Sequence, residues 1–279
     1  MARSTLLDLL QQRFPDSSKT TLRQMMQSDR VRVNGAAERR ANRPIADGDV
    51  VEVGARTARP LDPRLRIVFE DSDLIVVEKS EGLLTVASPE VPHEHAEAFL
   101  NEYLGARPGE VRVHVVHRLD RDTSGLLVFA KNSWSRDRLQ ELFAAHDIER
   151  MYLAVVHGSI APPSGTFHSF LAEDRDLRVR SVPDGAGKEA VTHYRTIAAG
   201  QRYSMLELAL ETGRRNQIRV HLAEAGHPVV GDTMYGPPET SPLRRLALHA
   251  KLLGFVHPRT GRKMQFITEV LAPFRDLQL

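Results

Sequence analysis

The chain has no cysteine, a single tryptophan and no long apolar run among its 279 residues. Without thiols there are no disulfides, no thiolate nucleophile and no cysteine-ligated zinc, so any chemistry rests on oxygen, nitrogen and charge. No uninterrupted apolar stretch approaches the roughly 18 residues of a membrane-spanning helix. The opening "MARSTLLDLLQQRFPD" meets charge too early for a signal peptide. A cytoplasmic protein is expected. A large excess of one charge is also missing, since 38 Lys and Arg stand against 36 Asp and Glu. The small surplus is unevenly placed: residues 1 to 60 hold 11 Lys and Arg against 7 Asp and Glu, the remainder 27 against 29. The leading segment is the part expected to meet a polyanion, although a solvated basic surface would read the same on charge alone.

What is present divides in two. "STLLDLLQQRF" and "SSKTTLRQMMQSD" carry apolar residues at helical spacing, the first with Ser4 as its expected N-cap. "RVRVNG" then alternates into an Asn34-Gly35 turn, and "IADGDVVEV" carries an Asp47-Gly48 turn into another strand. Lys19 and Arg23 lie one helical turn apart, on a stripe different from Leu22 and Met25, with Arg30, Arg32, Arg39, Arg40 and Arg43 following. "GARTARPLDPRL" has no periodicity and reads as a linker over 55–64. From Leu65 onward strands outnumber helices. "RIVFEDSDLIVVEK" predicts two strands around an Asp-Ser-Asp turn, and "RMYLAVV", "EAVTHYRTI", "YSMLELAL" and "LALHAKLLGFV" predict more. Helices are expected in "EHAEAFLNEYL", in "SWSRDRLQELFAAH" with Ser133 as cap, and in "RRNQIRVHLAEAG" ending at Gly226. The fold class is therefore α+β, a largely antiparallel mixed sheet with flanking helices over residues 65–279, preceded by a small domain over 1–54.

Between the apolar strings "VRVHVV" and "GLLVFAK", the residues "HRLDRDTS" must form a loop, because Asp is a poor strand residue. A polar loop held between two strands is a rigid platform for functional groups. Asp120 and Asp122 by themselves also read as turn residues bonding their own backbone. His93 and His95 in "PHEH" lack a third ligand at a sensible spacing, so a solvated helix start is expected there and no metal.

The string "HRLDRDTSG" resembles the catalytic motif of the RluA/RluD-type pseudouridine synthases. "LIVVEKSEGLLTV", "RMYLAVVHG", "GKEAVTHYR", "TGRRNQIRVHLAEAGHPVVGDTMYG" and "LALHAKLLGFVHPRTG" resemble the family's other segments, in its order. The leading helix-helix-hairpin resembles an S4 RNA-binding domain. The resemblance implies that Asp120 is the catalytic aspartate, that Arg118 takes the place of the flipped-out base, and that Tyr152 stacks on the target uracil. It also implies that Ile218 and Arg219 line the pocket, with Arg219 paired to the aspartate. Arg214 is the rival partner for that carboxylate. Lys19, Arg23, Arg30 and Arg32 become the expected RNA-binding residues of the S4-like domain. Two departures stand out: Ser80 follows Lys79 where the family usually has proline, which predicts a looser turn, and Arg215-Asn216 replaces a frequent Thr-His.

The implied activity converts uridine in RNA to pseudouridine by breaking the N1–C1′ bond, turning the base and rejoining it through C5, with no cofactor. An ionised carboxylate can attack C1′ or remove the C2′ proton, and the sequence leaves both open. Burial would raise the Asp120 pKa and a nearby Arg219 would oppose that. The expected substrate is 23S rRNA or a large-subunit assembly intermediate, handled by a monomer. The rivals are a tRNA or dual-specificity synthase, a silent RNA-binding or ribosome-assembly factor, and a glycoside hydrolase, for which aromatic sugar platforms are lacking.

Overall fold

In the computed structural model, residues 4–15, 17–27, 29–54, 60–105, 111–176, 178–237 and 242–275 are described. They belong to two compact units, Met1–Pro60 with Asn101–Val111, and Leu61–Leu100 with Arg112–Leu279. Residues 55–59 of the expected linker lie outside the described residues.

The first unit contains α1 (Leu6–Arg13), α2 (Lys19–Gln27), β1 (Val31–Val33), β2 (Ala36–Ala37) and β3 (Val51–Val53). The cap of α1 is Thr5, not Ser4, because Asp8 three residues on completes a reciprocal capping box with Thr5. Leu6, Leu10, Leu22, Met25 and Met26 pack with Val31 and Val33 into one small core. Each such fully buried side chain contributes roughly 1.5–3 kcal/mol. The β1–β2 turn has Asn34 at φ 53° and Gly35 at φ 80°, the left-handed pair that a two-residue hairpin requires.

In chain order there follow β4 (Leu65–Glu70), β5 (Leu74–Lys79), α3 (Ala96–Tyr103), β6 (His114–Val115), β7 (Ser124–Ala130) and α4 (Ser133–Ala144), all in the second unit except the end of α3 from Asn101. The second unit continues with β8 (Glu149–His157), β9 (Ser164–Glu173), β10 (Val179–Val182), β11 (Lys188–Ala199) and β12 (Tyr203–Leu210). Last come α5 (Gln217–Glu224), β13 (Leu248–Val256), β14 (Lys263–Ile267) and α6 (Ala272–Arg275). The strands form one sheet in the order β10-β9-β11-β12-β8-β13-β7-β5-β4, with β14 beside β13 and β6 beside β7. Every pairing is antiparallel except β13 with β7, so the expected α+β architecture on a mixed sheet is present. Gly125 stands at that parallel contact with φ 117°, and a Cβ there would lie 2.3 Å from the Ala250 carbonyl oxygen. Only glycine fits such a backbone approach.

Three local expectations need correction. The run "VRVHVV" yields a strand of only two residues, His114 and Val115, paired with Ala130 and Phe129 of β7; the next β7 donor on the chain, the Val128 N–H, is taken by the His117 side chain rather than by a strand. The cap of α4 is Asn132, whose Oδ1 accepts the Ser135 N–H at 2.8 Å. His95 is buried rather than solvated, with Nδ1 accepting the Ala98 N–H at 3.3 Å in the first turn of α3. Among the described residues no helix is long and apolar enough to cross a membrane.

Candidate active site

Residues 116–123 join β6 to β7 without forming a strand, so their order comes from side chains. Lys79, fully buried at the end of β5, donates from Nζ to the carbonyl oxygens of Ser80 (2.9 Å), Leu83 (2.8 Å) and Arg121 (3.1 Å). Burial pushes its ammonium down to about 7; three acceptors match the three donors of the charged form and favour it. The Ser80 N–H, a donor that proline lacks, bonds the Arg64 carbonyl at 2.8 Å. The turn expected to be loose is therefore tied.

Asp120 projects from this loop into a cleft of about 430 Å³, with its side chain 26% exposed. The Thr123 N–H bonds its carbonyl oxygen at 3.2 Å. Arg219 Nη1 lies 3.9 Å from its Oδ2, so the expected pair is brought together, but at the long end of an ion pair. The closer partner of Arg219 is Asp232, which sequence reasoning missed. Nε and Nη2 donate to its two oxygens, both at 2.7 Å, and Nη1 donates to Asn216 Oδ1 at 3.1 Å. The Tyr235 ring lies 5.2 Å from the same guanidinium. Asp232 Oδ1 also accepts the N–H groups of Met234 and Tyr235, both at 2.9 Å. This planar, bidentate arrangement fixes the guanidinium.

The consequence is electrostatic. Burial raises the Asp120 pKa above its ordinary 3.8, and the opposing pull of Arg219, Arg118, Arg215 and Lys79 does not cancel it. Arg219 cannot fully compensate because its nearer counter-ion is Asp232. For Asp232 burial acts in the same raising direction, but its bonds to Arg219 outweigh it and hold the carboxyl below 3.8. Two aspartates beside one arginine are thus driven apart in acidity.

Asn216, which stands where the resembled family often has histidine, opens α5 in the left-handed conformation at φ 54°. Asn tolerates that region better than most residues. Its side chain bonds Arg219 and donates to the Tyr235 hydroxyl at 3.2 Å rather than capping the helix. This conformation also explains why the helix begins only at Gln217. Gln217 is buried and ties the loop to β11 through the Val191 carbonyl at 2.9 Å.

Around the carboxylate, Tyr152 and Ile218 are buried side chains of the cleft wall. Burial pushes the Tyr152 phenol up to about 12, so it stays protonated through the physiological range. Its hydroxyl makes no hydrogen bond among the described residues, and it is available to a ligand. Arg118 is exposed on the cleft wall and makes no hydrogen bond or salt bridge among the described residues, acting on Asp120 only through its charge. Arg214 lines the cleft but donates from Nε to the Glu189 carbonyl at 2.8 Å, in no salt bridge with Asp120 among the described residues. The geometry therefore favours Arg219 over Arg214 as the carboxylate's neighbour. Lys19, Arg23, Arg30 and Arg32 belong to the first unit.

Two further wall residues were missed. His117 stacks on Phe143 with ring centroids 4.6 Å apart, accepts the Val128 N–H at 3.1 Å, and is pushed by burial down to about 3. It is a neutral imidazole whose ring proton sits on Nδ1. Arg150 donates from Nη2 to the Glu211 carbonyl at 2.8 Å. Its position two residues before Tyr152 on β8 puts both on one sheet face, a signal legible in the sequence. Asp122 is exposed, and among the described residues lining the cleft Asp120 is the only carboxylate. A two-carboxylate hydrolase pair is not assembled here. The cluster Asp71, Asp73 and His257 has metal-like spacing, but Arg259 binds Asp73 through both oxygens and His257 bonds Asp71 at 2.8 Å. Its donors already have partners.

Residues 73–224 match the family model described as RNA pseudouridylate synthase. The chain is 38% identical over 265 residues to the uncharacterised RNA pseudouridine synthase YlyB of Bacillus subtilis, covering 90% of this chain and 85% of the relative. It is 34% identical over 275 residues to the ribosomal large subunit pseudouridine synthase D of Escherichia coli, covering 92% and 84%. Among solved structures, human RNA Pseudouridylate Synthase Domain Containing 1 aligns with a TM-score of 0.60 at 25% identity, covering 74% of this chain and 83% of that one.

Proposed function

The chain belongs to the RNA pseudouridylate synthase family and isomerises uridine in RNA to pseudouridine; from this premise we propose how its cleft does so and on which RNA. Asp120 is the reacting carboxylate. The observation that carries this is its position as the sole carboxylate lining the cleft among the described residues, 3.9 Å from a fixed guanidinium and beside a tyrosine whose hydroxyl has no hydrogen-bond partner among them. Ionised, it either attacks C1′ as the N1–C1′ bond breaks and is itself displaced when C5 attacks C1′, or removes the C2′ proton as that bond breaks and returns it when C5 bonds C1′; in both routes the C5 proton then leaves and N1 gains one. The glycosidic electrons and the base stay in the site throughout, so no external group is consumed.

Reaching this cleft requires the uracil to leave its stack, at a cost of a few kcal/mol. Arg118 stacks in the space the base vacates and Tyr152 stacks on the flipped ring, with Ile218 against it, recovering part of that cost. Arg214 sits beside the entering strand. Every one of these residues comes from one chain, so a monomer suffices.

The substrate is large-subunit ribosomal RNA in the cytoplasm, in line with the relatives named ribosomal large subunit pseudouridine synthase D. Deleting the gene and mapping pseudouridines across rRNA and tRNA tests this. One or a few 23S rRNA sites should vanish and return with wild type but not with Asp120→Ala. Loss confined to tRNA would overturn the rRNA assignment, and persistence of every site would overturn the activity in this host.

The helix-helix-hairpin unit acts as an S4-like RNA grip. Lys19 and Arg23 are exposed on α2, on a stripe different from buried Leu22 and Met25, and neither is in a salt bridge among the described residues. Arg30 and Arg32 follow them in the chain, partly engaged with the carbonyls of Gly54 (3.2 Å) and Gly35 (3.0 Å). Arg39 pairs with Asp29, and Arg40 and Arg43 with Glu38. Reversing Lys19 and Arg23 to Glu together should weaken RNA binding and flatten the log K against log salt slope by about 2, with the rate at saturating enzyme unchanged. An unchanged slope removes this role.

A further inference from the structure

One side chain bonds both backbone polar groups of the residue before Asp120. Thr85 Oγ1 donates to the Leu119 carbonyl oxygen at 2.8 Å and accepts the Leu119 N–H at 3.1 Å. Thr85 and Leu119 are buried, 1% and 3% exposed. The threonine is anchored in turn, because its own carbonyl accepts the Glu97 N–H at 3.2 Å in the first turn of α3. No strand ladder reaches this stretch, since β6 ends at Val115 and β7 starts at Ser124. After Asp120 the chain is held by Lys79 at the Arg121 carbonyl. Before it, the hydroxyl of Thr85 is the only side-chain anchor of residue 119 among the described residues.

The geometry points to Thr85 as a positioning residue for the reacting carboxylate: it touches no substrate, but it sets the direction in which Asp120 leaves the backbone and so its separation from Arg219. The inference rests on the reading of Asp120 given above. The hydroxyl replaces the two ladder bonds that residue 119 would have made in a strand, and an apolar side chain of the same shape would leave a buried N–H and a buried C=O unpaired. The loop would then re-pair those groups by shifting. A displacement of about 1 Å at a reacting group is enough to cost on the order of 100-fold in rate.

The test compares Thr85→Val, which keeps the shape and loses the hydroxyl, with Thr85→Ser, which keeps the hydroxyl. Asp120→Asn runs beside them. Pseudouridine formation is followed in single turnover with enzyme in excess, on the RNA whose modification disappears in the deletion strain, and RNA affinity is measured separately. Thr85→Val should lose on the order of 10- to 100-fold in rate, keep its RNA Kd within about twofold, and move the acid limb of its pH-rate profile. Thr85→Ser should stay within about threefold of wild type, because the donor and acceptor remain. A Thr85→Val rate within twofold of wild type, an equal loss in Thr85→Ser, or a loss confined to Kd overturns the assignment. Should Thr85→Val not fold, Thr85→Cys, whose thiol bonds only weakly, is read against Thr85→Ser by the same outcomes. An active Asp120→Asn sinks the parent reading; an inactive one beside an unaffected Thr85→Val sinks this one alone.

Discussion

Asp120→Asn is expected to reduce pseudouridine formation by on the order of 10⁴-fold or more, the scale seen when a reacting side chain is removed, while melting at or above the wild-type temperature at pH 7. The second half follows from burial. The folded chain raises the Asp120 carboxyl above 3.8, so between that value and the folded pKa the native state holds more protons than the unfolded one. Stability therefore falls as pH rises through the window, and above it the full penalty of a buried charge is in place. Asparagine removes that penalty, and its advantage should disappear below the unfolded pKa. Activity runs the other way, because the ionised form reacts: the wild-type rate should fall on acidification at a pH above the ordinary aspartate range. Melting curves and single-turnover rates across pH check both halves. A less stable Asp120→Asn at pH 7, or a wild-type rate that stays flat down to pH 4, would contradict the electrostatic account of a raised Asp120 carboxyl.

The second large effect is expected at Asp232. Its side chain is fully buried and that of Arg219 only 10% exposed, so Asp232→Ala leaves a guanidinium in the interior without its nearest counter-ion. Breaking such a pair from one side costs about 3–5 kcal/mol, which denaturant unfolding at pH 7 measures directly. Because the folded pKa of Asp232 is depressed, its contribution is present above 3.8 and is lost as pH falls through the folded value. Wild type and variant should converge in stability at strongly acidic pH. The catalytic signature has a different sign. Released from Asp232, Arg219 has Asp120 as its remaining carboxylate neighbour, and the acid limb of the rate profile should move to lower pH. An unmoved limb would mean that Arg219 stays in place without Asp232, held by Asn216 and Tyr235.

The sequence disclosed whatever is written in consecutive residues. The Asn34-Gly35 hairpin, the apolar faces of α1 and α2, the run of strands after Leu65 and the loop around Asp120 all follow from local pattern and turn chemistry. The missed features are encoded across distance. Asp232 meets Arg219 from 13 positions away and Thr85 meets Leu119 from 34, and no periodicity announces either bond. The short β6 shows the same limit in another form. "VRVHVV" has a strand's pattern, yet only His114 and Val115 of it pair with β7, and the next donor along that strand goes to the His117 side chain. Even the cap of α1 shifted by one residue, because Thr5 and not Ser4 has Asp8 at the reciprocal spacing.

The place of β13 has a consequence in time. It lies between β8 and β7, and its His249 Nδ1 meets Ser124 Oγ, 125 residues earlier, at 2.7 Å. The start of the strand that follows the Asp120 loop, Ser124 and Gly125, therefore lacks its β13 neighbour until those later residues have been synthesised. At about 5–20 residues per second, those intervening residues take roughly 6–25 seconds to be made. Throughout that interval the nascent chain carries an open edge on β7, and pairing across so long a separation is slow to form once it becomes available. The β7–β13 contact beside the Asp120 loop is thus among the late ones to form during synthesis, and an edge left unpaired in that interval is open to aggregation.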